Sequence, residues 1–324
     1  MENSLTIGIP IWNEERSLPN FVNSLKRSLD RLSLDFPDLI IELFFCLNGT
    51  TDDSEKIINE AISSGHFCNA SILFSKQGKL NALFEIVKNI KLLNRCVCFI
   101  DADVELDEFC ITNLFNELKL DENIFLTYSC VFPKQYEATS FVQKIQKTHY
   151  SLRDNLNPRK YFHGRAYMMR SSILLSKEPK KIPNSYWRLE DGPYVDDIYL
   201  SRLIVHSYGL NSIKESKNSI LWFLPPKNLK DFYFGQRRLI FEIKRLNLLY
   251  PEHSYLQSLF FKKKINWNYF LSVNIKHLLN YLKYYFLEEV IRLFVKLEVY
   301  MISLRIIKCK KVWKQLKTTK QWKS

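Results

Sequence analysis

Five short apolar runs, Leu5 to Ile11, Leu39 to Leu47, Ala70 to Phe74, Cys96 to Ile100 and Ile124 to Phe132, alternate with segments whose apolar residues recur every three or four positions. Runs of that length, apolar on both faces, read as strands inside a sheet covered from both sides, and the segments between them read as helices. In the first such segment Leu18, Phe21, Val22, Leu25, Leu29 and Leu32 share one helical face, with Ser17 and Pro19 placed as the helix start. Strand, helix, strand in this order is a crossover unit, so the fold class expected is α/β: a mostly parallel central sheet flanked by helices. Around Asn228 the pattern changes to long helical segments rich in Lys, Arg, Tyr and Phe. This divides the chain into a sheet domain over residues 1–230 and a basic, aromatic-rich helical region over 231–324.

Composition sets limits on what the two parts do. With 324 residues, 46% of them apolar, the chain can bury one substantial core and carry an appendage. The net charge of +13 is unevenly placed: from Lys262 onward there are fifteen Lys or Arg against Glu288, Glu289 and Glu298, twelve of the thirteen excess charges. The body is close to neutral, no RNP-like aromatic motif is present, and no nucleic-acid partner is expected. Of seven cysteines, Cys46, Cys96, Cys98 and Cys130 lie in apolar runs without C-x-x-C spacing, which reads as buried thiols and not a zinc site. The opening Met-Glu-Asn-Ser-Leu has no basic segment leading into an apolar one, so a cytoplasmic location is expected. Lys283, Glu288, Glu289, Arg292, Lys296 and Arg305 interrupt the most apolar part of the tail, and no membrane-spanning helix is expected.

Polar clusters follow the apolar runs, at the end of the sheet where ligands bind in folds of this kind. They are Asn13-Glu14-Glu15, Asn48-Gly49-Thr50-Thr51-Asp52, Lys76-Gln77-Gly78-Lys79 and Asp101-Ala102-Asp103. Two carboxylates one residue apart beyond a strand can share a hard divalent cation with diphosphate oxygens. Taken alone, that pair is as well explained by a solvated turn, and Lys79 by an ordinary surface lysine; their ordered company gives them weight.

In that order the clusters resemble family 2 glycosyltransferases, which have the Rossmann-like nucleotide-sugar-binding fold called GT-A. The likeness covers roughly Leu5 to Glu242. Pro10, Asn13 and Glu14 fall on the family's opening P-x-Y-N-E-E, Asn48 on the Asp of its D-G-S-T-D turn, and Lys79 on its G-K-x-x-A-L helix start. Asp101 and Asp103 fall on its D-x-D. The resemblance implies that these residues bind the nucleotide sugar, with Asp101 and Asp103 also at Mg2+ or Mn2+. His163, Gly164 and Arg165 resemble the turn beneath the donor sugar. Asp196 and Asp197, followed by Leu200-Ser201-Arg202, resemble the acidic pair whose second member is the general base; Glu190-Asp191 is an alternative pair, and a helix cap is the plain alternative for Asp196 and Asp197. Arg238, within Gly235-Gln236-Arg237-Arg238-Leu239, falls on the Arg of a Q-x-x-R-W segment near the diphosphate. Gly235 and Leu239 depart from that segment, and the lost Trp at 239 together with the expected absence of membrane-spanning helices argues against a processive polymer synthase.

The function implied is inverting transfer of a hexosyl or N-acetylhexosaminyl unit from a nucleotide diphosphate sugar, UDP-linked by default, to a glycan, lipid-linked or small-molecule acceptor. Residues 269–313 mix apolar and basic side chains as amphipathic helices do. They fit either an anionic membrane surface, with the protein peripheral on its inner face, or packing on the catalytic body. A transferase fold without catalysis, serving as a membrane-associated adaptor, is the alternative reading; a sugar-phosphate nucleotidyltransferase is disfavoured because its Gly-rich basic loop is missing.

Overall fold

In a computed structural model, the structure describes residues 4–90, 96–134, 140–156, 161–175, 196–261, 266–304 and 306–307. In chain order the elements are β1 (Ser4–Ile11), α1 (Leu18–Asp35), β2 (Ile40–Asn48), α2 (Ser54–Ser63), β3 (Ala70–Ser75), α3 (Lys79–Asn89), β4 (Cys96–Ile100), β5 (Val104–Leu106), α4 (Cys110–Leu120) and β6 (Leu126–Pro133). There follow α5 (Phe141–Leu156), β7 (Ala166–Arg170), α6 (Ser171–Leu175), α7 (Asp196–Tyr208), β8 (Ile213–Phe223), α8 (Leu229–Leu249), α9 (Leu256–Phe261), α10 (Trp267–Ser272) and α11 (Ile275–Ser303). All five runs expected to be strands are strands, shifted at their ends by no more than two residues.

The strands form an eight-stranded sheet in the order β3-β2-β1-β4-β7-β6-β8-β5. β1 pairs in parallel with β2 and β4, and β2 with β3, so this half is the expected parallel sheet. β7, reached from β6 by way of α5, runs antiparallel to both β4 and β6. Leu5, Ile7 and Ile9 on one face of β1 and Thr6 on the other are 0% exposed, as a strand covered on both faces requires.

Two glycines are dictated by close approach. A Cβ at Gly8 of β1 would lie 2.7 Å from Ile86 Cγ2 of α3, so α3 seats on the sheet only over a residue without a side chain. Gly49, with φ of 69°, turns the chain after β2 where a Cβ would meet Gln77 at 3.0 Å. Ser17 stands at the N-cap of α1 as expected, but its hydroxyl bonds back to Glu14 O and Glu14 Oε2, at 3.1 and 2.7 Å, instead of capping an amide ahead of it.

By contact the chain divides into two compact units. The first is built from Met1–Val131 and Tyr161–Trp222, the second from Phe132–Lys160 and Phe223–Gln321. In the second unit α11 packs on α5 and α8 through Val142, Ile145, Phe232, Tyr284, Ile291 and Val295. That shared core places α5 with the C-terminal helices, although it precedes β7 in the chain. Arg237 and Glu298 form a two-pronged buried ion pair, Nη2 to Oε1 at 2.7 Å and Nε to Oε2 at 2.9 Å, and Tyr233 donates to the same carboxylate. Gln236 donates to Glu288 on the next pair of turns. Among the described residues no helix is long and apolar enough to cross a membrane.

Candidate active site

The C-terminal ends of the four parallel strands bring the polar clusters onto one edge of the first unit, where hydrogen bonds knit them together. Asn13, just beyond β1, takes a left-handed φ of 53° and its Oδ1 accepts from Thr51 N at 2.8 Å. Asn tolerates that conformation better than most residues, which accounts for its place in the turn. Glu14 is buried at 7% exposure; its backbone N–H donates to Ser54 Oγ at 2.8 Å. Asp52 accepts from Glu15 N and Ser54 N, closing the second loop on the first. Pro10 is buried in β1, and the β1–β4 register ends at Gly8 opposite Phe99, so its missing N–H costs no ladder bond on that side.

Asn48 is the last residue of β2 and is 2% exposed. Its Nδ2 donates to Ile11 O at 2.9 Å and its Oδ1 accepts from Gly78 N at 3.2 Å. One amide thus ties the ends of β1 and β2 to the start of α3, using a donor that an ionised Asp lacks.

Lys79, the first residue of α3, reaches across to the end of β4. Its Nζ lies 2.8 Å from Asp101 Oδ1 and donates to Gly164 O at 3.1 Å; the Lys79 and Asp101 side chains are 25% and 26% exposed. Asp101 N donates to Arg165 O at 2.7 Å, so the turn before β7 is held once by the end of β4 and once by the start of α3. Gly164 N in turn donates to Asp197 Oδ2 at 3.2 Å, and Asp197 Oδ1 accepts from its own helix at Ile198 N, 2.8 Å. Residues 79, 101, 164, 165 and 197 therefore form one bonded chain, although 118 positions of sequence separate its ends. His163 is buried, and its Nε2 donates to Ser129 O at 2.6 Å, which places it as a wall of the turn.

Asp103 is half-buried, makes no hydrogen bond or ion pair among the described residues, and stands two residues beyond the paired Asp101. The pair supplies hard oxygen donors of the kind Mg2+ and Mn2+ take. Among the described residues no group of three or more His, Cys, Asp or Glu is placed to hold a metal. A cation held here would draw its other ligands from water and a diphosphate, as such ions commonly do. Two carboxylates of which one is already charge-paired fit that sharing.

Asp196 opens α7, its side chain lying outside the described residues, as does the Glu190-Asp191 pair. Arg238 is half-buried on α8 in the second unit. Arg202, expected only as part of a motif, is 1% exposed on α7, and burial lowers the proton affinity of its guanidinium. Ser54 and Asp52 are residues that sequence reasoning did not single out for a role; the nearest signal was the Thr51-Asp52 end of the second cluster.

The model of the family described as "Glycosyl transferase family 2" matches residues 6–175, more than half of the chain. The chain belongs to glycosyl transferase family 2. Its fold is GT-A. Solved structures similar to it include a mannosyltransferase from Pyrobaculum calidifontis in complex with GDP-Man and Mn2+, at 13% identity, covering 74% of this chain and 62% of that one with a TM-score of 0.52. A second is glucosyl-3-phosphoglycerate synthase from Mycobacterium tuberculosis in complex with Mn2+, UDP and glucosyl-3-phosphoglycerate, at 19% identity, 76% and 79% coverage and a TM-score of 0.48. TarS of S. aureus follows at 15% identity, 75% and 40% coverage and a TM-score of 0.44. No curated protein matches the chain closely enough to stand beside these. The family match ends at residue 175, and Asp197 lies beyond it, bonded to Gly164 within it.

Proposed function

We propose that the chain is an inverting glycosyltransferase that moves a hexosyl or N-acetylhexosaminyl unit from a nucleotide diphosphate sugar, UDP-linked by default, to an acceptor hydroxyl. In this reading Pro10, Asn13, Glu14 and Asn48 shape the nucleotide side of the pocket, Asn48 as the amide that holds its loops. Lys79, Asp101 and Asp103 serve the diphosphate, and Asp101 and Asp103 hold Mg2+ or Mn2+. The bound cation supplies a sink for the charge that grows on the departing diphosphate. His163, Gly164 and Arg165 lie under the sugar with Asp196 beside them; Arg238 is carried in this reading on the family resemblance alone.

The step balances as a single displacement. Asp197 takes the acceptor hydroxyl's proton as its oxygen bonds to the anomeric carbon. On the opposite face the bond from that carbon to the phosphate oxygen breaks, and the nucleoside diphosphate leaves with the electron pair. Attack opposite departure inverts the anomeric configuration. The observation that carries the reading is the bonded chain from Lys79 and Asp101 through Gly164 to Asp197, which joins a diphosphate-binding pair to a half-exposed carboxylate in a family 2 fold. A glycan or lipid-linked acceptor of cell-surface type, met by a cytoplasmic protein peripheral on the inner face of a membrane, completes the proposal.

The test is nucleotide release from UDP-glucose, UDP-N-acetylglucosamine, GDP-mannose and dTDP-glucose, with Mg2+ or Mn2+, by the wild type and Asp103→Ala. Release from one donor that requires the cation and disappears in Asp103→Ala supports the reading and names the donor. Absence of release together with absence of nucleotide binding by calorimetry overturns it.

A further inference from the structure

Helix α11 is apolar on two opposite faces. One face carries Tyr284, Ile291 and Val295, buried against α5 and α8, and Tyr281, buried with Leu152 of α5. The other carries Ile275, Leu279, Leu282 and Phe286 in its first half and Leu293, Leu297 and Tyr300 in its second, at 73, 51, 47, 74, 58, 47 and 60% exposure. Steps of three, four and seven put these on one line along the helix, on the side turned away from the packed face. A surface helix ordinarily presents charge there, and an apolar strip about 40 Å long on a 29-residue helix, flanked midway by exposed Glu289, marks a surface that meets something.

The charges beside the strip identify what it meets. Lys276 and Lys283 are exposed along one edge and Lys296 along the other. The acids of α11 largely serve pairing: Glu298 is tied to Arg237, buried Glu288 to Arg292 and Gln236, and exposed Glu289 to Arg292 at 3.7 Å. The chain after the helix continues the bias, with eight Lys or Arg, no Asp or Glu, and Trp313 and Trp322 over residues 305–324. Apolar side chains down the middle with lysines on both edges suit a helix lying in a headgroup layer, its ammonium groups rising to phosphates. A second copy of the helix laid on the strip would instead gather Lys276, Lys283 and Lys296 of both copies along one seam, with Glu289 of each as the exposed acid to answer them, an excess of like charge that repels. The helix is not apolar enough to span, so it lies on the bilayer.

We infer that the outer face of α11 is a docking surface for an anionic phospholipid leaflet. This rests on the membrane-proximal placement proposed above and not on the transfer chemistry. The test is co-sedimentation of the full chain with vesicles of phosphatidylcholine alone or of equal parts phosphatidylcholine and phosphatidylglycerol, in low and high salt. Wild type and Asp103→Ala are expected to sediment alike with the anionic vesicles. Phe286→Glu/Leu293→Glu, at two side chains that are mostly exposed, is expected to keep its melting temperature and donor turnover in solution while its partition falls at least roughly tenfold. Lys276→Glu/Lys283→Glu/Lys296→Glu is expected to lose the salt-sensitive part of the binding. Failure of the wild type to sediment overturns the inference. So does undiminished binding of Phe286→Glu/Leu293→Glu, which would assign binding to the basic tail alone, or a concentration-dependent dimer that this variant abolishes, which would assign the strip to a second copy. Donor turnover measured without vesicles fails or survives independently of all these outcomes.

Discussion

Lys79 Nζ sits 2.8 Å from Asp101 Oδ1, an ion pair that joins the first residue of α3 to the residue after β4. The lysine also holds Gly164 O, so its charge organises three loops at once. Lys79→Met is expected to weaken nucleotide diphosphate binding about tenfold, close to 1.4 kcal/mol. A part-exposed pair contributes on the order of 1 kcal/mol or less to folding, so the melting temperature should move little. Calorimetry with UDP and GDP, beside a thermal melt, checks both; unchanged affinity would remove Lys79 from the diphosphate site.

Asp197→Asn keeps one oxygen to accept from Gly164 N, gives up the bond from Ile198 N, and discards the ability to take a proton. Turnover is expected to fall by roughly 10² to 10⁴ with nucleotide affinity within about twofold of wild type. Equal losses in turnover and in affinity would instead make Asp197 a support for the turn.

Asn48→Asp would restore the residue that the family motif carries, yet it is expected to harm this chain. The substitution removes the donor to Ile11 O and sets an ionised oxygen beside that carbonyl in a buried site. Urea unfolding should show a loss of about 1–3 kcal/mol at neutral pH. A gain in stability or nucleotide affinity would show that the loop can re-form around a carboxylate.

Burial pushes the thiols of Cys46 and Cys110 from 9.0 up to about 11, and that of Cys98 well above its ordinary value. The native state therefore holds these protons more tightly than the unfolded chain. Their contribution is complete below about pH 9 and lost as pH rises toward 11, so stability should decline across that window. Iodoacetamide at pH 8 should label exposed Cys68 in the folded protein and spare Cys46, Cys98 and Cys110 until denaturant is added. Mass spectrometry of the alkylated peptides decides it.

The parallel half of the sheet was legible in the sequence because each strand there is buried on both faces, and a continuous apolar run is the direct record of that burial. β7 was harder: Ala166–Arg170 is only five residues long, and its antiparallel course depends on pairing with β4 and β6, which no period in the sequence records. Asp101 and Lys79 were legible as parts of motifs, but their pairing was not, since it depends on where α3 begins relative to β4. Arg237 shows the same limit from the other side. It stood next to the motif residue Arg238 in a basic stretch, and only the fold reveals that it is spent on Glu298, 61 residues later. Charge counted along a chain does not tell which charges are already answered.

The tight seat of α3 on β1 turns a packing detail into a lever. Gly8 touches no part of the pocket, yet any side chain there must push against Ile86 Cγ2 at 2.7 Å, and Ile86 sits two turns along the helix that starts at Lys79. Displacing that helix would swing its leading ammonium off Asp101 and Gly164 together. A variant as small as Gly8→Ala would then read in an assay as a lost nucleotide contact, although the atom at fault lies in the middle of the sheet.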